Sequence, residues 1–495
     1  MNHSAIQPFT IILFFCSLYL LFRILFFDWY QDGGVAVHAA QRILQGDLPY
    51  RDIFHFWLPA NFYLLASWFK IFGDSLWSLR ALITLNLIPV YGLVLIIGKK
   101  LLGSWSLAAW SLLISTLAAV PPMYNHNWWG LLFLLASVWR LVRNPDARIK
   151  TNTLRFWLIQ GMLAGLAVSF IQTLGAVTLI ASLLTVLLLS IPWRRKVLLS
   201  TVFSLSAGVI PFIWITLLWQ QNLLTEFFLQ TLLYPLTNYY QGNQAFGFSP
   251  FWVLTTAFYL SFWLVNQRTR LTQQWPVRVV AVWGSTLHLF TLLSPTTGHV
   301  AIGYVLAAPL VVLVSQWLKA QWQSLTRHGR FFFKGGLIAT AAVVLMIYIF
   351  IITYAIASRW QSLESGVYLI QTPQGILFQY QAWAKTYPLV EDYLDDHKPA
   401  SVYMGPWLGG LHYVMDRPNS TRFDFLGPEH YIESVAQHLI DDLEHNQVEV
   451  VVWLPSFSPV GDTLELPLIN DYLDENYQRE LEITQNGDTI WRRKD

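Results

Sequence analysis

Residues 174–219 read LGAVTLIASLLTVLLLSIPWRRKVLLSTVFSLSAGVIPFIWITLLW, two long apolar runs on either side of a turn that carries Arg194, Arg195 and Lys196. A helix of about twenty apolar residues crosses the hydrocarbon core of a bilayer, and both runs are close to that length. Lys and Arg accumulate in the turns that face the cytoplasm. The stretch therefore predicts two membrane-spanning helices joined on the cytoplasmic side.

The same unit recurs along the first 355 residues. Basic clusters at 99–100, 140–155, 194–196, 268–278 and 319–334 alternate with pairs of apolar runs, and the opposite turns carry almost no Lys or Arg. This pattern predicts a polytopic α-helical membrane protein with about eleven spans and a cytoplasmic N-terminus. The predicted spans are 9–27, 75–98, 104–122, 127–143, 154–171, 174–191, 197–219, 250–266, 277–293, 299–318 and 333–355.

The apolar stretch 59–72 is predicted to lie along the membrane interface. It is shorter than a span, contains Lys70 and places its bulky residues on one helical face. These properties are typical of an interfacial helix. A crossing at this point would also move every later basic cluster to the outer side and invert the charge rule.

Charge divides the chain into two parts. There are 22 basic and 7 acidic residues before Ala355, and 9 basic and 22 acidic residues after it. We therefore predict a membrane body at 1–358, with long outer loops at 28–74 and 220–249, and a small extracytoplasmic soluble α/β domain at 359–495, called the tail below. The predicted tail elements are a hairpin at 367–378, helices at 389–397 and 431–444, buried strands at 401–404 and 448–454, and an edge strand at 489–492.

Composition excludes several classes of protein. A chain that is 55% hydrophobic and 12% charged is not a soluble globule. The lone cysteine, Cys16, excludes disulfides within the chain and cysteine metal sites. The absence of a basic patch on the outer side argues against nucleic acid as a partner. His38, His55 and His126 lack metal-ligand spacing, and the sequence leaves open whether a divalent metal assists.

Carboxylates are concentrated in the first outer loop. Five of the seven acidic residues of the body lie there, and Glu226 lies in the second outer loop. A partly desolvated carboxylate has raised basicity, which suits a general base. In the run 28–34 (DWYQDGG), Asp28 and Asp32 are spaced to share a helical face, and the glycines allow close approach of a bound group. We predict a catalytic role for Asp32, whereas Asp47 and Asp74 are interpreted as solvated or helix-capping groups.

Several motifs in a fixed order resemble those of the GT-C membrane glycosyltransferases, which include the protein O-mannosyltransferases and the aminoarabinose transferases. The first outer loop carries three of them, Asp32-Gly33-Gly34, residues 39–52 (AAQRILQGDLPYRD) and residues 59–63 (PANFY). Further likenesses are Tyr124-Asn125, the glycine-rich stretch 161–172, Thr297-Gly298-His299 and, in the tail, residues 415–423 (MDRPNSTRF). The resemblance thus covers most of the chain.

The resemblance implies a GT-C-like fold in the bacterial plasma membrane and transfer of a sugar from a polyprenyl-phosphate donor to an extracytoplasmic acceptor. It places the family's loop aspartate at Asp32, as the base that activates the acceptor hydroxyl for an inverting displacement. Arg51, Lys70 and His299 are the outer-side candidates for binding the donor phosphate, with Arg51 preferred. Asp28, Asp52 and Glu226 are further candidates for substrate binding, and Asp52 could instead orient Arg51.

Two positions depart from the family pattern, and other functions remain open. Gly33 stands where relatives often have Glu, and Phe56-Trp57-Leu58 precede Pro59 where relatives often carry Lys. The rival interpretations are a lipid-linked polysaccharide polymerase or ligase, and a transporter or flippase without bond chemistry. The small number of charges within the spans and the lack of an internal repeat favour an enzyme. The sequence identifies neither the sugar, hexose or pentose, nor the acceptor.

Overall fold

The computed structural model describes residues 3–25, 31–118, 125–143, 153–239, 250–269, 273–293, 297–324, 366–426, 433–457, 466–484 and 487–494. The helices of the body are α1 (His3–Ile24), α2 (Ala36–Gln45), α3 (Pro59–Phe72), α4 (Leu76–Leu102), α5 (Trp105–Ala118), α6 (His126–Val142), α7 (Leu154–Phe170), α8 (Gln172–Leu187), α9 (Trp193–Gln220), α10 (Leu224–Phe228), α11 (Pro250–Thr269), α12 (Trp275–Phe290) and α13 (Thr297–Ser324). Short π-helical turns, Gln31–Val35, Leu229–Leu233 and Pro235–Tyr239, and the 3-10 turn Thr291–Leu293 lie between them.

The tail alternates strands and helices. Its elements are β1 (Val367–Thr372), β2 (Gly375–Tyr380), α14 (Gln381–His397), β3 (Val402–Gly405), α15 (Gly409–Val414), α16 (Glu433–His445), β4 (Val450–Trp453), the 3-10 turn Pro455–Phe457, α17 (Pro467–Asn476), β5 (Tyr477–Glu482) and β6 (Thr489–Arg493). Strands β1 and β2 form an antiparallel hairpin, and the other four form a separate sheet in the order β3-β4-β6-β5. The predicted hairpin and α/β character of this region are therefore present.

Helices occupy ten of the eleven predicted spans, and the eleventh, 333–355, lies outside the described residues. Within the described part of the chain, α4 and α9 are long and apolar enough to cross a membrane. At 1.5 Å rise per residue, the 27 residues of α4 extend about 40 Å. The count of eleven spans stays a prediction, as does the interfacial position of α3.

The edge-strand prediction for residues 489–492 is wrong. Strand β6 lies inside the sheet and pairs antiparallel with both β4 and β5. The edge of the sheet next to β6 is formed by β5. The β5 sequence, Tyr-Gln-Arg-Glu-Leu-Glu, is so rich in charge that it does not resemble a strand. Charged side chains suit an edge because they oppose pairing with another chain. The parallel pair β3 and β4 is buried throughout, as the apolar runs predicted.

The tail packs at one end of the membrane body. The amide of Leu76, the first residue of α4, donates to the carbonyl of Gln374 in the β1–β2 turn (2.9 Å). The amide of Phe378 in β2 donates to the carbonyl of Leu25, just after α1 (3.2 Å). Lys99 and Lys100 lie in the last turn of α4. The tail is therefore at the opposite end of α4 from this basic pair.

Two glycines allow α7 and α9 to pack closely. A Cβ added at Gly161 would lie 1.9 Å from Ser206 Oγ and 2.4 Å from the Phe203 carbonyl oxygen. A Cβ at Gly165 would lie 2.5 Å from the carbonyl oxygen of Ala207. Small residues at a helix interface allow the two backbones to approach closely, and Gly161 and Gly165 do so here.

Gly161→Ala is expected to destabilise the protein, because the new methyl group meets backbone atoms of α9. Overpacking of this kind typically costs roughly 1–3 kcal/mol, which thermal unfolding in detergent would detect as a lower Tm. Gly208→Ala is the matched control, since a Cβ at that position of α9 meets nothing within 4 Å. An equal Tm for the two variants would contradict the close packing.

Candidate active site

The segment that carries Asp32 lies between the body and the tail. The π-helical turn Gln31–Val35 runs directly into α2 and packs against α15 of the tail. A Cβ at Gly409, the first residue of α15, would lie 2.4 Å from Val35 Cγ2 and 2.7 Å from the Asp424 carbonyl oxygen, so only glycine fits there. The backbone of Asp32 lies in this turn, whereas its side chain and the whole of Asp28 lie outside the described part of the structure.

A buried ionic network joins α2 to the tail. Asp424 Oδ1 lies 2.9 Å from His38 Nδ1 and 3.4 Å from Arg42 Nη1. The carboxylate also accepts a hydrogen bond from the Asn419 side chain (2.7 Å). Burial alone would raise the pKa of Asp424, but the nearby His38 and Arg42 outweigh burial and lower the pKa below its usual range. Asp424 is therefore ionised at physiological pH.

Arg42 connects the tail to the rest of the first loop. Its Nη1 donates to the Thr421 carbonyl (2.9 Å) in the tail and its Nη2 to the Asp52 carbonyl (2.6 Å). Its Nε donates to Asp47 Oδ2 (2.7 Å), so Asp47 pairs with a buried cation while remaining partly exposed. The planar guanidinium thus uses all three nitrogens to fix α2, the loop that follows it and the tail.

His412 of α15 extends this network without adding charge. Its ring stacks on that of His38, with centroids 5.1 Å apart and planes 12° apart. Its Nε2 accepts from the Met404 amide (3.0 Å), and its Nδ1 lies 3.1 Å from the Arg417 carbonyl. This pairing selects the neutral tautomer protonated at Nδ1. Burial and the neighbouring His38 lower the pKa of His412 to about 3.

Asp424→Asn is expected to loosen the tail, because Arg42 and His38 would lose the buried anion that pairs with them. Breaking a buried ion pair costs about 3–5 kcal/mol, and proteolysis and thermal unfolding of the full chain would measure the loss. In the native protein the lowered pKa of Asp424 contributes stability at neutral pH that is lost as the pH falls below about 4 towards the folded-state pKa.

Asp474→Asn provides the matched control for this substitution. Asp474 pairs with Arg479 on the tail surface, where both side chains are more than half exposed. Exposed pairs contribute about 0–1 kcal/mol, so this variant should unfold almost as the native protein does. Equal stability of the two variants would show that Asp424 does not hold the tail.

Asp74 is not the solvated or capping group that its position in the loop suggested. The N-cap of α4 is Ser75, whose hydroxyl accepts from the Ser78 amide (3.2 Å). Asp74 is half-buried against the tail, where it interacts with Tyr413 and with Gln41 of α2. Burial raises its pKa to about 6, partly offset by those two hydrogen bonds and reinforced by Asp416.

Asp74→Asn is expected to stabilise the folded protein at pH 8 and to have little effect near pH 4. The folded-state pKa is raised, so the native protein favours the protonated acid, and its stability contribution is lost as the pH rises through about 6. Asn mimics the protonated acid, so the variant does not lose stability as the pH rises. The measurement is the difference in Tm between variant and native protein from pH 4 to pH 8. A difference that does not change with pH would contradict the raised pKa.

Arg51 and Asp52 form an ion pair at the edge of the loop. Arg51 Nε and Nη2 donate to the two carboxylate oxygens of Asp52, at 2.9 and 2.8 Å. Asp52 also accepts from the Leu48 amide (2.8 Å). Burial alone would raise the pKa of Asp52, but the bonds from Arg51 and Leu48 outweigh it and lower the pKa. The contact required for Asp52 to orient Arg51 is therefore present, and the Arg51 side chain is 58% exposed.

The second of the two long loops packs on the first, and its Tyr234 also lies in a buried cluster with tail residues such as Phe423. Gln230 donates to the Tyr50 carbonyl (2.6 Å) and accepts from the His55 amide (3.0 Å). The ring of Phe227 lies edge-on to Tyr50, with centroids 5.3 Å apart. Glu226 in α10 is half-buried, and its Oε2 has no hydrogen-bond partner within the described residues. The structure thus brings the loop of Glu226 to the first loop.

The two remaining candidate cations lie at helix ends. Lys70 is exposed in the last turn of α3. The backbone of His299 lies in the first turn of α13, and its side chain is outside the described part of the structure. Within the described residues, no group of three or more His, Cys, Asp or Glu side chains is arranged to hold a metal ion.

Sequence analysis missed the residues that join the tail to the first loop. His38 was noted only because it lacks metal-ligand spacing, and Asp424 and His412 were not singled out. The available signal was the motif at 415–423, which was noted only as a family likeness. In the structure this motif supplies Asn419 and the Thr421 carbonyl to the network around Arg42 and Asp424.

Comparison with known proteins identifies the fold. No protein-family model and no curated protein sequence matches the chain. The apo crystal structure of ArnT from Cupriavidus metallidurans aligns with 99% of this chain and 98% of its own, at 11% identity and a TM-score of 0.56. The same protein bound to undecaprenyl phosphate aligns over 97% of both chains, at 12% identity and a TM-score of 0.52.

The oligosaccharyltransferase AglB from Archaeoglobus fulgidus aligns with 100% of this chain and 74% of its own, at 12% identity and a TM-score of 0.45. ArnT and AglB are both members of the GT-C superfamily. At these identities the likeness to ArnT shows the fold. The chain has the fold of ArnT over almost its whole length, tail included.

Proposed function

We propose that the chain is a membrane glycosyltransferase that moves a sugar from a polyprenyl-phosphate donor to an extracytoplasmic acceptor. The fold is that of ArnT, which has been crystallised with undecaprenyl phosphate. In this proposal the protein lies in a bacterial plasma membrane, with the first loop and the tail outside the cytoplasm. The position of the tail at the opposite end of α4 from Lys99 and Lys100 agrees with the positive-inside rule.

The observation that carries the proposal is the packing of the Asp32 turn. Residues Gln31–Val35 follow α1 and are held between α2 and α15, at the end of the body where a donor in the outer leaflet would present its phosphate. Enzymes position reacting groups on segments that are fixed by surrounding contacts. The network of His38, Arg42 and Asp424 supplies those contacts.

The reaction we propose is a single displacement. The acceptor hydroxyl attacks the anomeric carbon from the face opposite the phosphate, the bond between that carbon and the phosphate oxygen breaks, and the anomeric centre inverts. The hydroxyl proton passes to the Asp32 carboxylate. The phosphate leaves on the polyprenyl chain as a monoester with increased negative charge, so nearby cations stabilise it better than a strong acid would.

The proposed donor site uses residues at the edge of the loop. Arg51 is the first candidate for the phosphate, because its planar guanidinium can bind two phosphate oxygens. The phosphate would compete with or displace Asp52, whose carboxylate accepts two hydrogen bonds from the guanidinium. Lys70, His299, Asp28 and Glu226 remain candidates for contacts with donor or acceptor.

Asp32→Asn is expected to reduce turnover at least about a hundredfold with folding intact, since general bases contribute on the order of 10²–10⁴ in rate. The assay incubates the purified protein with a panel of polyprenyl-phosphate hexoses and pentoses and measures released polyprenyl phosphate. Asp471→Asn, an exposed position on α17, is the control and should retain activity. Unchanged turnover in the Asp32 variant would remove this residue from the mechanism.

The same assay separates the rival functions. Release of polyprenyl phosphate with transfer of one sugar supports the proposal. Release of polyprenyl diphosphate from a lipid-linked oligosaccharide would indicate a polymerase or ligase. Movement of a labelled lipid-linked sugar across vesicles without any release would indicate a transporter or flippase.

A further inference from the structure

The β1–β2 hairpin has an apolar outward face. Residues alternate between the faces of a strand, and the cross-strand register places Val367, Leu369 and Ile376 on one side together with Gln371, Phe378 and Tyr380. Leu369 is 61% exposed, Val367 38% and Ile376 37%. The opposite face, with Ile370 and Leu377, is buried in the protein core. A water-facing strand surface is usually polar, so this face is unusual for a soluble domain.

The hairpin is attached to the body beside the first residues of α4. Besides the bonds from Leu76 and Phe378, Arg80 on the first turns of α4 donates to the Ile376 carbonyl (2.6 Å) and to the Leu25 carbonyl (3.1 Å). A Cβ at Gly375 would lie 3.7 Å from Leu76 Cβ. Helix α4 is one of the two described helices that can cross a bilayer. The hairpin turn therefore lies at the level of the membrane surface.

The residues around this point are also apolar and exposed. Trp77, the second residue of α4, is 60% exposed, and Ile71 and Phe72 at the end of α3 are 72% and 58% exposed. Tryptophan is enriched where helices meet lipid headgroups. Exposed apolar surface on this scale marks a contact with a membrane or another molecule. Here the exposed apolar surface continues the lipid-facing surface of a spanning helix. The molecule that covers it is therefore lipid.

We propose that the outward face of β1–β2 inserts into the headgroup–acyl boundary of the leaflet in which α4 begins. Its depth is limited, because a two-stranded ribbon has open edges whose backbone groups need water or headgroup partners. The tail is then attached to the bilayer directly as well as through the first loop. This proposal depends on α4 crossing the membrane and not on the transferase activity.

Depth-dependent fluorescence quenching tests the proposal in the full chain. Cys16 is the sole cysteine, so Cys16→Ala provides a cysteine-free background into which Leu369→Cys is introduced and labelled with a small fluorophore. The protein is reconstituted in phosphatidylethanolamine–phosphatidylglycerol vesicles, with doxyl-labelled lipid as the membrane quencher and iodide as the aqueous quencher. Gln437→Cys on α16, also exposed, is the control. A label at Ile376→Cys provides a second position on the same face.

The labels at 369 and 376 are expected to be quenched by doxyl lipid at least about twofold more strongly than the label at 437, and by iodide less strongly. Quenching by iodide equal to that at 437 would place the face in water and overturn the proposal. Protection from both quenchers would show that protein covers the face, which also overturns it. The same pattern should be obtained with Asp32→Asn, because no catalytic step is involved.

Discussion

The buried pairing of Asp424 with Arg42, together with its hydrogen bond to His38, is the interaction on which the arrangement of this protein depends. Each of these side chains is almost completely buried, and each comes from a segment that could not bury a charge alone. Buried charges are tolerated when they are paired and hydrogen-bonded. Because Asp424 lies 386 residues from His38 and 382 from Arg42, satisfying the three side chains fixes the tail on α2 in one orientation, and with it the turn that contains Asp32.

The first loop is held both by the tail and by the second long loop. The tail covers α2 through Gly409 and the ionic network, while the second outer loop holds the segment after α2 through Gln230. Gln172, the first residue of α8, joins the two loops by donating to the Phe56 and Thr231 carbonyls. A loop bound in this way keeps a fixed shape without regular structure, which is what a site made from loop residues requires.

The sequence predicted those features that depend on local patterns. Apolar length and basic turns located the helices, and two short apolar runs on either side of a Thr-Pro-Gln-Gly turn located the β1–β2 hairpin. It could not predict that Asp424 meets His38, because a single buried carboxylate in a polar segment has no periodic signature and His38 lies 386 residues away. Asp74 was misread for a related reason. Its position before α4 resembles a cap, and only its burial against the tail makes it an acid with a raised pKa.

The location of the network has a consequence for how such chains diverge. Positions 38 and 42 belong to the body and position 424 to the tail, so a change at one of them leaves an uncompensated buried charge unless the others change in concert. Exchange of tails between distant relatives would therefore produce mismatched partners even when each half is well formed. The two halves are bound to be inherited as one unit, and substitutions at these three positions should covary.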